Sequence, residues 1–443
     1  MIRTKAHVLR TFKAQVESWI AEALEVGACN FPELLARLPG VYPPVALDAL
    51  CRMKRKGRLS PEIANTLERQ LPNPGCMASH SLDYLPPPHP LDFEWRFTRG
   101  TASELLSLAQ ILAQPNDRVV LLGTPAVAAM ATAAPIDRAT VFVGENNVIT
   151  SALMALNDRN GRPIAIQTCK PQALLPTNAG VVIVDPPWYF DFIRPILTIA
   201  AASCRVGGFV LLSILPAGTR SGAAQDRSRI AHYLRRLSFE TVEERQGALA
   251  YETPFFEANA LAAAGFTGNP GDWRRSDLLV LRKTRHSDSP LFDRATPVQW
   301  RETTVRRMRL FIRSKALGSA RSGPAMRSLL PGDVLPAVSR RDPRRRKAQV
   351  WTSGNRIFAS RRPELVLAAA MQARTGAALP TRSQLTSAEQ DEVKRLSYDL
   401  LTLATKEEHE ERKGWIEEAS CLSENSTSDS IALSGTSRIT VSG

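Results

Sequence analysis

Val181, Val182, Ile183 and Val184, followed at once by Asp185, Pro186, Pro187 and Trp188, constrain the fold of this chain more than any other stretch. Four consecutive β-branched apolar residues suit a strand covered on both faces, as at the centre of a parallel sheet. The two prolines end the ladder, because neither has an N–H to donate. A stiff loop must follow at the carboxyl edge of the sheet, where open α/β folds place their ligands. Asp185 is thereby offered at the mouth of a site, with Trp188 beside it. A plainer reading keeps the strand but makes Asp185 the cap of a following helix and Trp188 a packing residue.

The flanking sequence repeats the alternation that such a sheet requires. Strand candidates are 118–122, 139–143, 163–166, 181–184 and 209–213, with helical stretches around 125–133, 148–157 and 191–203. This predicts a doubly wound, mostly parallel sheet, which 240–244 and 278–282 can close. Thr101 to Glu104 has capping-box spacing and predicts the helix leading into this domain. The aromatic loop 251–257 reads as a substrate lid or, more simply, as core packing, and Trp95 poses the same question on the entry side.

Before the sheet, residues 15–24, 31–38 and 45–56 carry three helical patterns, the outline of a helix-turn-helix with a wing over 1–70. Val45, Leu47, Leu50 and Met53 form the expected apolar stripe of the third helix, and Arg52, Lys54, Arg55 and Lys56 load its end. Either these basic residues face nucleic acid, or the module only packs against its neighbour and they are solvated or complement the helix C-terminus. A proline-rich linker fills 71–90, the α/β domain spans 91–285, and the composition then shifts. Residues 301–350 hold 14 Lys or Arg against 3 acids, including Arg340, Arg341, Arg344, Arg345, Arg346 and Lys347, with Trp300 and Trp351 at the flanks. This basic region, 286–385, is a candidate phosphate-tracking surface. A helix is expected over 386–419 and a disordered tail over 420–443.

The formal charge of +14 points to a polyanionic partner. The six cysteines form no CxxC pair and have no histidine at ligand spacing, so neither zinc nor disulfides are expected. No secretory h-region or membrane span is readable, which implies a cytoplasmic protein.

Asp185-Pro186-Pro187-Trp188 resembles the (D/N/S)PP(Y/F/W) motif of class I S-adenosylmethionine-dependent amino-methyltransferases. The resemblance covers residues 90–285 and implies a seven-stranded Rossmann-like methyltransferase sheet, S-adenosylmethionine as cofactor, and a nucleic-acid base as acceptor. In that family the acid and the first proline's carbonyl accept from the amine while the aromatic stacks on the ring. It also implies that Gly123 and Thr124, after the first strand, and Glu145, after the second, hold the cofactor. This chain departs from the family by keeping only Gly123 of the acidic, glycine-rich first turn. It also shows Gln167, Thr168 and Cys169 where an acid near the adenine is common.

The order of modules is similar to the branched-chain polyamine synthases as well, which implies aminopropyl transfer to a polyamine. Their acid-rich first loop is replaced here by Gly123-Thr124-Pro125. A non-catalytic nucleic-acid-binding scaffold is the third alternative.

Overall fold

The computed structural model describes residues 2–60, 63, 85–92, 95–144, 147–168, 178–266, 272–286, 300–314, 324–376 and 385–429. The chain opens with three helices: α1 (Ile2–Glu25), α2 (Phe31–Arg37) and α3 (Pro43–Arg55). The first is longer than its apolar pattern suggested. On α3 the buried stripe is Pro43, Ala46, Ala49, Leu50 and Met53. Val45 and Leu47 lie at its margin rather than in it. The residues where a wing would follow fall largely outside the described ones. This module is not independent, since Phe31, Leu34 and Met53 share one hydrophobic cluster with Leu261, Phe266 and Trp273 of the central domain.

That domain is built on seven strands: β1 (Arg118–Leu122), β2 (Ala139–Gly144), β3 (Ala165–Thr168), β4 (Ala179–Val184), β5 (Cys204–Ile214), β6 (Phe239–Ala250) and β7 (Arg275–Lys283). Their order is β3-β2-β1-β4-β5-β7-β6. Strands β1 to β5 pair in parallel, and β7 runs antiparallel to both β5 and β6. The α/β architecture and parallel-dominated sheet expected from the alternation are present, in a form consistent with a Rossmann-like methyltransferase fold. The late strands do close the sheet, with β7 inserted beside β5.

Every residue of β4 is buried. Val181 and Ile183 pack with Leu105 of α4 (Arg99–Leu112), Val127 of α5 (Pro125–Ala133) and Leu153 of α6 (Val148–Arg159). Val182 and Val184 face the other way, onto Ile193 and Leu197 of α7 (Phe190–Ser203) and Ile230 of α8 (Ala223–Arg236). A strand with helices on both faces has no polar side, which explains the uninterrupted apolar run. The capping-box expectation is corrected: Thr98 caps α4 by accepting from the Thr101 N–H. The Thr101 hydroxyl accepts instead from the Ala250 N–H at 3.1 Å, tying the helix to β6.

After α9 (Phe255–Ala263) and β7, the basic region proves to be a folded unit. Strands β8 (Trp300–Val305), β9 (Met308–Arg313), β10 (Arg327–Ser328), β11 (Val350–Thr352) and β12 (Ile357–Ala359) form an antiparallel sheet ordered β10-β12-β11-β9-β8. Helices α10 (Pro363–Thr375) and α11 (Ser387–Asp429) cover it through Leu365, Val366, Val393 and Leu396. Helix α11 continues past residue 420, and 430–443 lie outside the described residues.

Several basic residues here are internal. The fully buried Arg309 pairs with Glu302 and Asp92 and donates to the Pro87 carbonyl at 3.1 Å. With His89 packed on Phe311 at 4.2 Å, these contacts build the end of the proline-rich linker into the second sheet. No helix of the described residues is long and apolar enough to cross a membrane, and no group of residues there could hold a metal ion.

Candidate functional site

The ladder continues one residue beyond β4, the Asp185 N–H donating to the Leu122 carbonyl at 3.2 Å, and then stops at the prolines. Asp185 caps no helix, because α7 begins at Phe190 with Tyr189 at its cap. Its Oδ1 instead accepts from the Tyr251 hydroxyl at 2.8 Å. Behind that phenol, Ser213 Oγ lies at 2.6 Å and Ser276 Oγ at 3.2 Å, a buried hydroxyl network spanning β5 and β7. Burial raises the Asp185 carboxyl from 3.8 to about 7, with the Tyr251 and Ser213 hydroxyls acting in the opposite direction. A group that ionises near neutrality can change its protonation within a working pH range.

Asp185 opens into a cavity of about 350 Å³ with mostly apolar walls. The Pro186-Pro187-Trp188-Tyr189 loop forms one wall, and Trp95, Tyr251, Trp273 and Arg274 form another. Phe12, Gly40, Tyr42 and Val45 reach in from the N-terminal module, and Ala337 to Ser339 from the C-terminal unit. The Trp188 ring stands edge-on to Tyr251 at 5.8 Å, and its carbonyl accepts from Arg220 Nη2 at 2.7 Å. Arg274 lies over Trp95 at 4.6 Å and Trp273 at 4.7 Å, and is paired with the fully buried Glu257. Glu257 also accepts from Trp95 Nε1 at 2.8 Å. An aromatic cavity of this size suits a planar ring with a few oriented polar groups.

The contribution of the N-terminal module depends on close backbone packing. Gly218 donates to the Pro39 carbonyl at 2.8 Å, and a Cβ at Gly218 would stand 2.4 Å from that same oxygen. Only glycine permits this approach.

The structure brings the first-loop residues next to the acid. Gly123 has φ +66°, and a Cβ there would lie 3.1 Å from the Asp185 carbonyl oxygen. Thr124 is buried at the cap of α5, and its Oγ1 has no hydrogen-bond partner among the described residues. Glu145 lies outside the described residues. The Gly123 cradle and the orphaned Thr124 hydroxyl fit a ligand held at the carboxyl edge beside Asp185.

The basic residues divide. Arg52, Lys56 and Arg58 converge on the nearly buried Glu17 at 2.9–3.1 Å. Burial opposes ionisation of Glu17, but hydrogen bonds from Lys56 and Arg52 outweigh it and hold the carboxyl below its ordinary value. Much of the charge at the end of α3 therefore serves an internal ion cluster. Lys54 and Arg55 stay exposed, Arg55 donating to its own helix at Cys51.

Arg345 is corrected from surface to interior. It is 8 % exposed, stacks over Trp351 at 4.5 Å and donates to the Val338 and Pro90 carbonyls. Trp351 is likewise a core residue rather than an exposed flank. Arg344 pairs with Asp342 and Arg340 with Asp191, while Arg341 lies 3.8 Å from Asp226. Arg346 and Lys347 are exposed.

The loop 251–257 packs rather than forming a lid, with Tyr251, Phe255, Phe256 and Glu257 all buried. Sequence reasoning read the 251–257 loop as a lid or as packing, without the contact of Tyr251 to Asp185, and it gave no role to Trp273, Arg274, Tyr42 or Arg220. The adjacent aromatics and acid of 251–257 were the only local signal.

No protein-family profile matches the sequence, and no curated protein matches it. Among solved structures, the branched-chain polyamine synthase from Thermus thermophilus is similar at 15% identity, covering 62% of this chain and 88% of that one, with a TM-score of 0.47. The C9 mutein of that enzyme is similar at 13% identity, covering 64% and 93%, with a TM-score of 0.48. Both hold N4-aminopropylspermidine and 5'-methylthioadenosine. The B. subtilis M1A22 tRNA methyltransferase TrmK matches at 10% identity over 41% of this chain and 65% of its own, with a TM-score of 0.28.

Proposed function

We propose that this chain is an S-adenosylmethionine-dependent N-methyltransferase acting on an exocyclic amine of a nucleic-acid base. The observation that carries the reading is the Asp185 carboxyl, fixed by Tyr251 at the carboxyl end of the central strand and opening into a cavity walled by Trp95, Trp188 and Trp273.

An amine conjugated to an aromatic ring is a weak nucleophile. Acceptors aimed at its hydrogens favour the pyramidal form, whose lone pair is free to attack. Asp185 Oδ2 and the Pro186 carbonyl are assigned to that task, with Tyr251 fixing the other carboxylate oxygen. Trp188 is assigned to the face of the ring, a stacking contact worth about 1–3 kcal/mol. A base taken from a duplex must be flipped to enter. Gly123 and Thr124 would hold the cofactor, with Glu145 completing its site. When bound, S-adenosylmethionine supplies an electrophilic methyl on sulfur.

Aminopropyl transfer to a polyamine is the second reading, and the aromatic walls could hold a cation. Against it, Asp185 is the only acid among the described residues that line the cavity, and the two arginines there, Arg220 and Arg274, already engage the nearby Asp226 and Glu257, which leaves a polycation one carboxylate. A scaffold without catalysis gives no role to a carboxylate oxygen left open to the aromatic cavity.

Calorimetric titration with S-adenosylmethionine and with its decarboxylated form separates the three. Preference for the intact cofactor is expected, preference for the decarboxylated form would transfer the assignment to polyamines, and binding of neither would favour a scaffold. Asp185→Ala should then abolish methyl transfer while leaving cofactor affinity within a few-fold, since the acid is assigned to the acceptor.

A further inference from the structure

A second concavity, of about 390 Å³, opens on the outer face of α7 and α8. Phe190, Arg194, Ser228, Arg229, His232 and Arg236 line it, and no carboxylate among the described residues does. The arginines there are braced by aromatic rings. Arg194 lies 5.7 Å from the Phe190 centroid and 5.4 Å from that of Tyr233, and Arg229 lies 4.2 Å from Phe190. Stacking holds a guanidinium plane in place while its in-plane donors remain suited to oxyanions.

This concavity adjoins the Asp185 cavity along the chain. Phe190 directly follows Tyr189, whose ring carries Arg220 at 5.0 Å and Arg340 at 5.7 Å. Asp226, on the first turn of α8, accepts from Arg220 at 2.8 Å and lies 3.8 Å from both Arg229 and Arg341. Arg220 in turn holds the Trp188 carbonyl. A basic track therefore leads from the Trp188 wall to the concavity, offset only in part by Asp226 and by Asp191, which pairs with Arg340.

We propose that the Arg194–Arg229–Arg236 concavity binds a phosphodiester group of the strand whose base enters the Trp188 cavity. The assignment of a nucleic-acid strand rests on the base-directed reading of that cavity; the anion site rests on its own geometry. The division of labour is a familiar one, in which phosphate contacts position the strand and the pocket reads the base.

The test is fluorescence anisotropy with a labelled single-stranded oligonucleotide across a salt series. The proteins compared are wild type, Arg194→Ala/Arg229→Ala/Arg236→Ala, the corresponding triple lysine variant, and Arg162→Ala on the opposite face of the sheet. The triple alanine variant should bind roughly tenfold more weakly or worse at low salt, and its log-log salt slope should fall by about 0.7, the value for one phosphate contact on a single strand. The lysine variant should recover most of the affinity, showing that charge is responsible rather than a folding defect. Arg162→Ala should bind as wild type.

A triple alanine variant with unaltered affinity and slope overturns the anion site, whether or not methyl transfer is observed. Weakened binding without transfer to any strand leaves the anion site standing and sinks the base-directed reading instead. Capture of anionic phospholipid vesicles with no oligonucleotide binding overturns the assignment to a nucleic-acid phosphate.

Discussion

Replacing Asp185 with asparagine should stabilise the protein above neutral pH and have little effect in acid. The folded carboxyl is raised to about 7 from 3.8. At about 1.4 kcal/mol per tenfold change, ionising it in the folded state costs about 4 kcal/mol more than in the unfolded chain. The folded state holds this proton more tightly. Its contribution to stability is therefore complete below 3.8 and is lost as pH rises through about 7. Asparagine keeps an oxygen that can accept from Tyr251 but carries no charge to desolvate.

The advantage of the variant should grow between pH 4 and 8 toward about 4 kcal/mol, an upper bound because Asp185 is only half-buried and water at the cavity mouth reduces it. Urea denaturation at pH 4.5 and pH 8.5, followed by tryptophan fluorescence, reads the effect directly, since Trp95, Trp188 and Trp273 wall the cavity. An advantage of the same size at both pH values would refute the reasoning, because it would place the effect in packing rather than ionisation. Methyl transfer by the wild type should rise through pH of about 7 as the accepting carboxylate forms.

Other perturbations follow from single contacts. Arg274→Met leaves the fully buried Glu257 without its cation and should cost about 3–5 kcal/mol, while the double variant Glu257→Leu/Arg274→Met recovers most of it in the same denaturation assay. Glu17→Gln should loosen the N-terminal helices by about 1–2 kcal/mol at pH 7, with the difference vanishing in acid as pH falls below the ordinary carboxylate value; limited proteolysis measures it, and an unchanged cleavage rate would show that the three cations need no partner. Gly123→Ala forces a Cβ against the Asp185 carbonyl at positive φ and should weaken S-adenosylmethionine binding at least several-fold; equal binding would move the cofactor away from the first loop.

The sheet was legible because its central strands carry their environment in their composition. Val181 to Val184 are apolar on both faces because helices cover both faces, and the two prolines mark where the ladder must end. Strand boundaries were less legible. The strand read at 209–213 begins at Cys204 and the one read at 240–244 runs to Ala250, each crossing a register shift, at Arg205–Gly208 and Gln246–Ala248, beyond which pairing with β4 or β7 resumes. Charge was the least legible property. Fourteen basic residues over fifty positions read as a surface, yet Arg309 and Arg345 are interior, each satisfied by a partner distant in sequence such as Asp92 or the Pro90 carbonyl.

The same reasoning explains why half of the candidate site could not be read locally. Asp185, its prolines and Trp188 are adjacent in sequence, and their chemistry is visible there. Tyr42, Trp95, Tyr251, Trp273 and Val338 are drawn to the cavity from five separate segments, each held by a contact that is itself tertiary. Gly218 against Pro39 brings Tyr42 to the rim, Glu257 holds Trp95 and Arg274, and Ser213 with Ser276 fixes Tyr251. A cavity closed by all three units of the chain gives each of them a part in the site. The N-terminal helices, read from the sequence either as a nucleic-acid-binding module or as one that packs against its neighbour, contribute Phe12, Gly40, Tyr42 and Val45 to the lining of the pocket. Removing them should therefore open the cavity and impair acceptor binding before it affects the cofactor.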